Sequence, residues 1–556
     1  MVPSWPPYPA REAAKAEDMR TLIAVPAIVA LFLTGCLPSE PNDPQPGSAA
    51  GTPAPATRAL ANYFPPPESG GGWRTRDDAS AVAGLGVDLT RLDALGAYVM
   101  GLPYAEYYTG VSGYDSRNKA VLLVKNGWLV GEYYNRAEAK GAMYYLASNG
   151  KTFTIMLVGR LRLDYPDLSM GLGSRLYSSR WLAAGLPPSD PRKLDITIDQ
   201  VFRHTSGIIP QVEAPIANAA VETDPGWSFL PFTLGTDADW PESTPLYYPP
   251  GKPETYLKGD TYSSVAFNHF SPIFRQVTGL EPGTYLRQAM LTPIGVGRVD
   301  YRLAAGMGDY RWATAGNALT GARDFARIGY LLLHEGNWAG RRIFPAAWIR
   351  RFTTVAEYPN LRSNVDCYWG RDYPADLYST VGSGFNRAIV VPSLDLLLTV
   401  NGRAPTALAP DMTVGVLSRL FASVLEPYTT CDGRAMNTGV APRVVGLTLI
   451  NADNDAVLRR LHMGDTLRLA GLPTSRLNIR ADVWPGAPGS VVFGLDGADR
   501  HRVESGAPFA LAGDQTGDYN AWTPGPGAHT VRATPFSGTG GSGTPGPGST
   551  VSFIVQ

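Results

Sequence analysis

Apolar positions change rhythm three times along the chain. The first regime is an unbroken run from Thr21 to Leu33, preceded by Arg20, Lys15 and Arg11. It is shorter than the ~20 residues needed to cross a bilayer and reads as the core of a signal peptide. The second regime begins near Arg76. Ala120–Val124 and Trp128–Tyr134 are β-rich runs flanking Asn126-Gly127, which predicts a hairpin with a tight turn. Thr152–Val158 is an apolar run, carrying two threonines, that is long enough for a buried helix. The stretch from Ile196 predicts a second helix, with Thr197 and Gln200 as its capping box and Gly207 at its end. Ala322–Leu333 has the period of a third, and Arg387–Val391 and Leu394–Val400 read as strands around Pro392-Ser393. Strands at both ends with helices between them predict an α+β fold whose terminal strands are neighbours in one antiparallel sheet. In the third regime, from about Val440, short alternating runs recur between turns: Leu477–Val483, His529–Ala533, Thr550–Val555. They predict an all-β, immunoglobulin-like sandwich, with Gly538 to Gly548 a flexible loop.

Composition sharpens this picture. The 61 Gly and 48 Pro make about a fifth of the 556 residues, and they gather after Cys36 and in the C-terminal turns. The expected organisation is a signal peptide over 1–36 (Met19 being an alternative start), a Pro/Gly/Ser-rich tether over 37–75, a large domain over 76–430 and the sandwich over 440–556. Leu33-Thr34-Gly35-Cys36 resembles a bacterial lipobox, so Cys36 is expected to carry lipid. The protein would then be an exported lipoprotein, anchored to a membrane in the periplasm or at the cell surface. A hydrophobic fraction of 44 % excludes wholesale disorder. With 48 basic against 49 acidic residues there is no charge excess to suggest nucleic acid as a partner. Cys367 and Cys431, the two cysteines left after Cys36, could pair or stay as thiols. No Cys/His spacing suggests a metal site, and no metal or organic cofactor is expected.

The candidate chemistry is nucleophilic. No G-x-S-x-G elbow occurs, but Ser148-x-x-Lys151 stands directly before the apolar helix. Residues three apart share a helix face. A serine hydroxyl needs a base, and a lysine serves as one when desolvation lowers its pKa. The helix N-terminus adds amides for a developing oxyanion.

Five segments then fall in one order: Ser148-Asn149-Gly150-Lys151-Thr152, Asp199 to Gly207 with His204-Thr205-Ser206-Gly207, Thr261-Tyr262-Ser263-Ser264, Pro293-Ile294-Gly295-Val296 and Gly382-Ser383-Gly384-Phe385. Over roughly residues 80 to 425 the chain resembles the serine β-lactamase and penicillin-binding-protein-like superfamily. The branch it resembles holds class C β-lactamases, related carboxylesterases and 6-aminohexanoate-dimer hydrolases. The resemblance implies a serine hydrolase that cleaves an ester or amide bond, with β-lactams among the candidates, through an acyl-enzyme on Ser148. Lys151 would assist deprotonation and Tyr262 would carry the proton to the leaving group. The backbone amides of Ser148 and Phe385 would form the oxyanion hole, and Ser264, Gly382, Ser383 and Gly384 would contact substrate. Ser264 stands where the family more often has Asn. The basic residue usual in the last motif is missing, which argues against efficient penicillin hydrolysis. A β-lactamase or D,D-carboxypeptidase acting on cell-wall peptides is the alternative, and a catalytically inactive binding or adhesion lipoprotein is the alternative of another class.

Other residues have plainer readings. His204 is expected to cap or pack in the turn after its helix, and Asp324 with Arg327 to form a helix-face ion pair. Tyr144, Tyr145, Tyr247 and Tyr248 suit a substrate cleft or a core equally.

Overall fold

The computed structural model describes residues 60–104, 114–210, 234, 246–251, 261–297, 299–300, 314–316, 318–355, 357–402, 404–405, 409–439 and 441–556. The predicted signal peptide and Cys36 lie outside the described residues. In chain order, the elements that frame the site begin with α1 (Ala79–Gly84), α2 (Leu89–Gly101), β1 (Ala120–Lys125) and β2 (Trp128–Tyr134). Next come β3 (Met143–Tyr145), α3 (Asn149–Asp164), α4 (Ile198–Phe202) and α5 (Ser264–Asn268). They are followed by β4 (Leu319–Gly321), α6 (Ala322–Leu333), α7 (Ala346–Thr353), β5 (Leu361–Ser363) and β6 (Tyr378–Thr380). β7 (Arg387–Val391), β8 (Leu396–Asn401) and α8 (Ala409–Ser423) complete the set.

Six of these strands form one antiparallel sheet in the order β2-β1-β8-β7-β6-β5. The expected meeting of the terminal strands is there: β1 pairs with β8 from Ala120↔Asn401 to Lys125↔Leu396. The β1–β2 turn has Asn126 at φ 49° and Gly127 at φ 72°, the left-handed pair that Asn-Gly favours. Side chains alternate across the sheet. Leu122, Val124, Ala388, Val390 and Leu397 face one core with α3, α6 and α7. Val121, Leu123, Ile389, Val391 and Leu398 face a second core under α1, α2 and α8. Helices therefore cover both faces, which explains why β1 and β7 are apolar at almost every position.

The C-terminal region has the expected all-β architecture. β9 (Arg443–Asn451), β10 (Ala456–Arg460), β11 (Asp465–Leu467), β12 (Leu477–Trp484), β13 (Ser490–Leu495), β14 (Ala498–Glu504), β15 (Gly527–Phe536) and β16 (Ser549–Val555) make two sheets. Their orders are β10-β9-β12 and β11-β16-β15-β13-β14, and Leu447, Ile479, Phe493, Val531 and Phe553 share the core between them. The sandwich is seated on α1 and α2: Arg460 bridges to Asp93 at 2.5 Å and Thr90 Oγ1 donates to Val445 O at 3.0 Å.

Three local expectations change, and a fourth gains partners. The tether was expected to run to residue 75, but its described part packs. Ala61 N–H donates to Asp395 Oδ2 at 2.8 Å, and Phe64 lies against Tyr330, His334 and Trp338. The expected i,i+3 ion pair of Asp324 and Arg327 is present at 3.9 Å. The fully buried Arg327 also donates to Pro65 O and Pro66 O and pairs more closely with Glu68, at 2.8 Å. Gly207 does not end α4; the capping box forms as expected, but the helix stops at Phe202, and His204 at φ 59° turns the chain. The Gly538–Gly548 loop is pinned by bonds from Gly541 N–H to Ser490 Oγ and from Gly546 N–H to Pro535 O.

Candidate active site

The site is built on the first turn of α3. Ala147 adopts φ 49°, a conformation that costs a non-glycine residue and persists only where its surroundings hold it. Here the holding is done by Asn149, fully buried, whose amide donates to Leu146 O at 2.8 Å and to Asn386 O at 3.0 Å. Gly150 is required by close approach: a Cβ there would lie 2.5 Å from Gly316 Cα. Ser148 is thereby left half-buried at the helix N-terminus, and its amide donates to no carbonyl among the described residues.

One turn on, Lys151 is 1 % exposed. Its Nζ lies 3.4 Å from Ser148 Oγ, 3.0 Å from Ser264 Oγ and 2.8 Å from Ala315 O. It also lies 4.8 Å from the centroid of the Tyr262 ring. Burial holds the lysine below its ordinary pKa, with Tyr262 opposing the shift. Tyr262 and Ser264 reach the lysine because Ser263 caps α5, accepting from Ala266 N–H at 3.0 Å and donating to Ile209 O at 2.7 Å. Serine, lysine and tyrosine from two helix N-termini thus converge, with the amine desolvated. That arrangement can accept a proton from a hydroxyl and return it to a leaving group.

His204 packs in the turn after its helix, as expected, and its packing partner is Tyr262. It is fully buried, stacked on Tyr262 with ring centroids 4.0 Å apart, and linked to Asn360, whose amide reaches Tyr262 Oη at 3.3 Å. Asn360 carries no local signal: it sits in a plain turn before β5, and only the fold brings it here.

The last motif is placed in part. Gly382 packs against the nucleophile turn, since a Cβ on it would lie 2.4 Å from Leu146 O and 2.3 Å from Asn149 Nδ2. Gly382 and Asn386 exchange backbone hydrogen bonds and close the hairpin that carries Ser383, Gly384 and Phe385. Phe385 has φ 66° and buries its ring in the second core. Of the other aromatics, Tyr144 fills the first core and Tyr145 packs with Ala147 beside Ser148, while Tyr247 is exposed. Cys367 and Cys431 are joined by a disulfide. Among the described residues no cluster of His, Cys, Asp and Glu could hold a metal ion.

The sequence profile of the Beta-lactamase family matches residues 108–386, half of the chain. No curated protein matches the sequence. Among solved structures, the chain is similar to a novel penicillin-binding protein homolog from Caulobacter crescentus. The two are 16 % identical with a TM-score of 0.43, and the match covers 61 % of this chain and 99 % of that one. It is also similar to a D-stereospecific amidohydrolase from Streptomyces sp. (17 %, TM-score 0.38, covering 60 % and 98 %). A third is a family VIII carboxylesterase (14 %, TM-score 0.42, covering 61 % and 98 %).

Proposed function

The chain belongs to the Beta-lactamase family of serine hydrolases, and from that premise we propose that it cleaves esters or small amides through an acyl-enzyme on Ser148. The observation that carries this reading is the buried Lys151 amine, 3.4 Å from Ser148 Oγ and 4.8 Å from the centroid of the Tyr262 ring. In the reaction, Ser148 Oγ attacks the carbonyl carbon while its proton passes to the Lys151–Tyr262 pair. The oxyanion is met by the Ser148 amide and an amide of the 382–385 hairpin, for which Phe385 is the candidate. Tyr262 returns the proton to the leaving group. Water then attacks the ester to Ser148, with the pair again taking the proton, and that proton returns to Ser148 Oγ as its bond to the acyl carbon breaks and the acid is released. Ser264, Gly382, Ser383 and Gly384 would border the substrate. With no basic side chain in the Gly382–Gly384 segment, a carboxylate-bearing penicillin lacks its usual anchor, which favours esters and small amides over β-lactams. The lipobox-like sequence ending at Cys36 supports export and lipid anchoring.

The test compares the protein with Ser148→Ala for labelling by a fluorophosphonate probe, turnover of a short-chain p-nitrophenyl ester and turnover of a chromogenic cephalosporin. Labelling and ester turnover should vanish in the variant, and an unchanged variant refutes the assignment of Ser148. Cephalosporin turnover well above ester turnover would instead favour a β-lactamase. A Cys36→Ser variant should leave the membrane fraction; full retention there refutes lipidation.

A further inference from the structure

We propose that Asn360 is a positioning residue of this hydrolase, donating its amide N–H to Tyr262 Oη and so favouring and aiming the phenolate, with the buried imidazole of His204 fixing the amide's orientation. The proposal rests on the reading of Tyr262 as the proton carrier.

The direction of every hydrogen bond in the chain is determined. The backbone N–H of Ser263 can only donate, and it lies 3.0 Å from His204 Nδ1, so that nitrogen accepts. Burial, and then the charge of Lys151, push the His204 pKa down to about 3. The ring is therefore neutral with its single proton on Nε2. That proton is 2.9 Å, donor to acceptor, from Asn360 Oδ1. With its oxygen so engaged, the Asn360 carboxamide must turn its NH2 to the phenol, where Nδ2 lies 3.3 Å from Tyr262 Oη. Backbone amide, imidazole and carboxamide thus all donate in one direction, and the phenol oxygen of Tyr262 accepts at the end.

Nothing in this chain is loose. Asn360 is 1 % exposed, and its backbone carbonyl accepts from Thr152 Oγ1 at 2.8 Å. Thr152 follows Lys151 on α3, so the lysine amine beside the phenol and the asparagine amide that donates to it are fixed to the same helix turn. His204 stacks flat on the phenol ring, with an interplanar angle of 22°, which leaves the phenol little room to rotate away. Among the described residues, the titratable groups placed at the phenol are Lys151 from α3 and His204 from the turn after α4; Ser148 and Ser264 are the hydroxyls beside the amine. Because His204 stays neutral above its low pKa, the chain keeps its direction across the working range. A donor to the charged form favours that form and shortens as the charge develops. In a site with no second basic residue in the Gly382–Gly384 segment, a neutral amide supplies the donor that completes the phenolate's environment.

The experiment follows kcat/KM for the p-nitrophenyl ester against pH in the whole protein and in Asn360→Asp, which keeps the side chain's shape. The aspartate still accepts from His204 but offers the phenol no proton and adds repulsion. The acid limb of the profile should move to higher pH by about one unit or more, with a roughly ten- to hundredfold loss near neutrality that recovers in part at alkaline pH. KM should change little. Asn360→Ser, uncharged and too short to reach the phenol, should move the limb in the same direction by less, and it provides the reading if the aspartate variant fails to fold. An acid limb unmoved in a folded Asn360 variant overturns the proposal. Tyr262→Phe separates this from the underlying reading: if it leaves turnover and limb unchanged, the role of Tyr262 itself falls. If it abolishes turnover while the Asn360 variants keep the limb in place, only the present proposal falls.

Discussion

His269 offers a test of how burial alone couples this fold to pH. Its ring is 1 % exposed, with Nδ1 donating to Val265 O at 2.9 Å and Nε2 accepting from Tyr177 Oη at 2.7 Å. Both nitrogens are satisfied in the neutral ring, and burial pushes the pKa from 6.5 down to about 3. The unfolded chain therefore binds a proton between pH 6.5 and 3 that the folded chain refuses. This group's stabilisation of the fold is fully present above pH 6.5 and is lost as the pH falls below it. Each pH unit in that window costs about 1.4 kcal/mol, so the 1.5 units from 6.5 to 5 cost about 2 kcal/mol. His204 and His334, lowered to about 3 and about 4, act with the same sign. The perturbation is His269→Gln, and the assay is urea unfolding at pH 7 and pH 5 of both proteins. The variant should be weaker at pH 7, having lost a buried hydrogen bond, yet lose about 2 kcal/mol less than the parent on acidification. Parallel losses in the two proteins would refute the reasoning.

Three further outcomes follow from particular contacts. Gly150→Ala places a methyl carbon 2.5 Å from Gly316 Cα and must push away the segment whose Ala315 carbonyl binds Lys151; ester turnover should fall at least tenfold while circular dichroism stays near that of the parent. Reducing the Cys367–Cys431 disulfide, whose cysteines are 64 residues apart, should lower stability by about 4 kcal/mol on the chain-entropy relation, read as a fall in the urea midpoint with dithiothreitol. Arg327→Ala removes a fully buried guanidinium that binds Pro65 O, Pro66 O and Glu68. It should cost about 3 kcal/mol or more and expose residues 60–72 to limited proteolysis.

Elements whose cause is local were legible in the sequence. The Asn-Gly turn, the Thr197–Gln200 capping box and the alternation of the C-terminal strands each depend on groups within a few residues of one another, and each is where the pattern put it. The Ser148–Lys151 spacing belongs here too, because a helix turn is a local object. Local reasoning failed where a distant partner intervened. Arg327 makes its i,i+3 ion pair with Asp324, but nothing local told that carbonyls about 260 residues earlier in the chain also hold it. The Gly-rich segment from 538 to 548 looked mobile by composition, but bonds to Ser490 and Pro535 hold it in place.

The sequence by itself determined the strands, the helices and the order of the chemical groups, because backbone propensity and side-chain period act within one turn or one strand. What makes those groups a site was decided by tertiary structure. Lys151 becomes a candidate base only because Ser264 and Ala315, 113 and 164 residues away, help enclose it. Asn360 meets His204 across 156 residues, and no pattern marks it. Desolvation and hydrogen-bond direction depend on everything that surrounds an atom, and the fold alone supplies those surroundings.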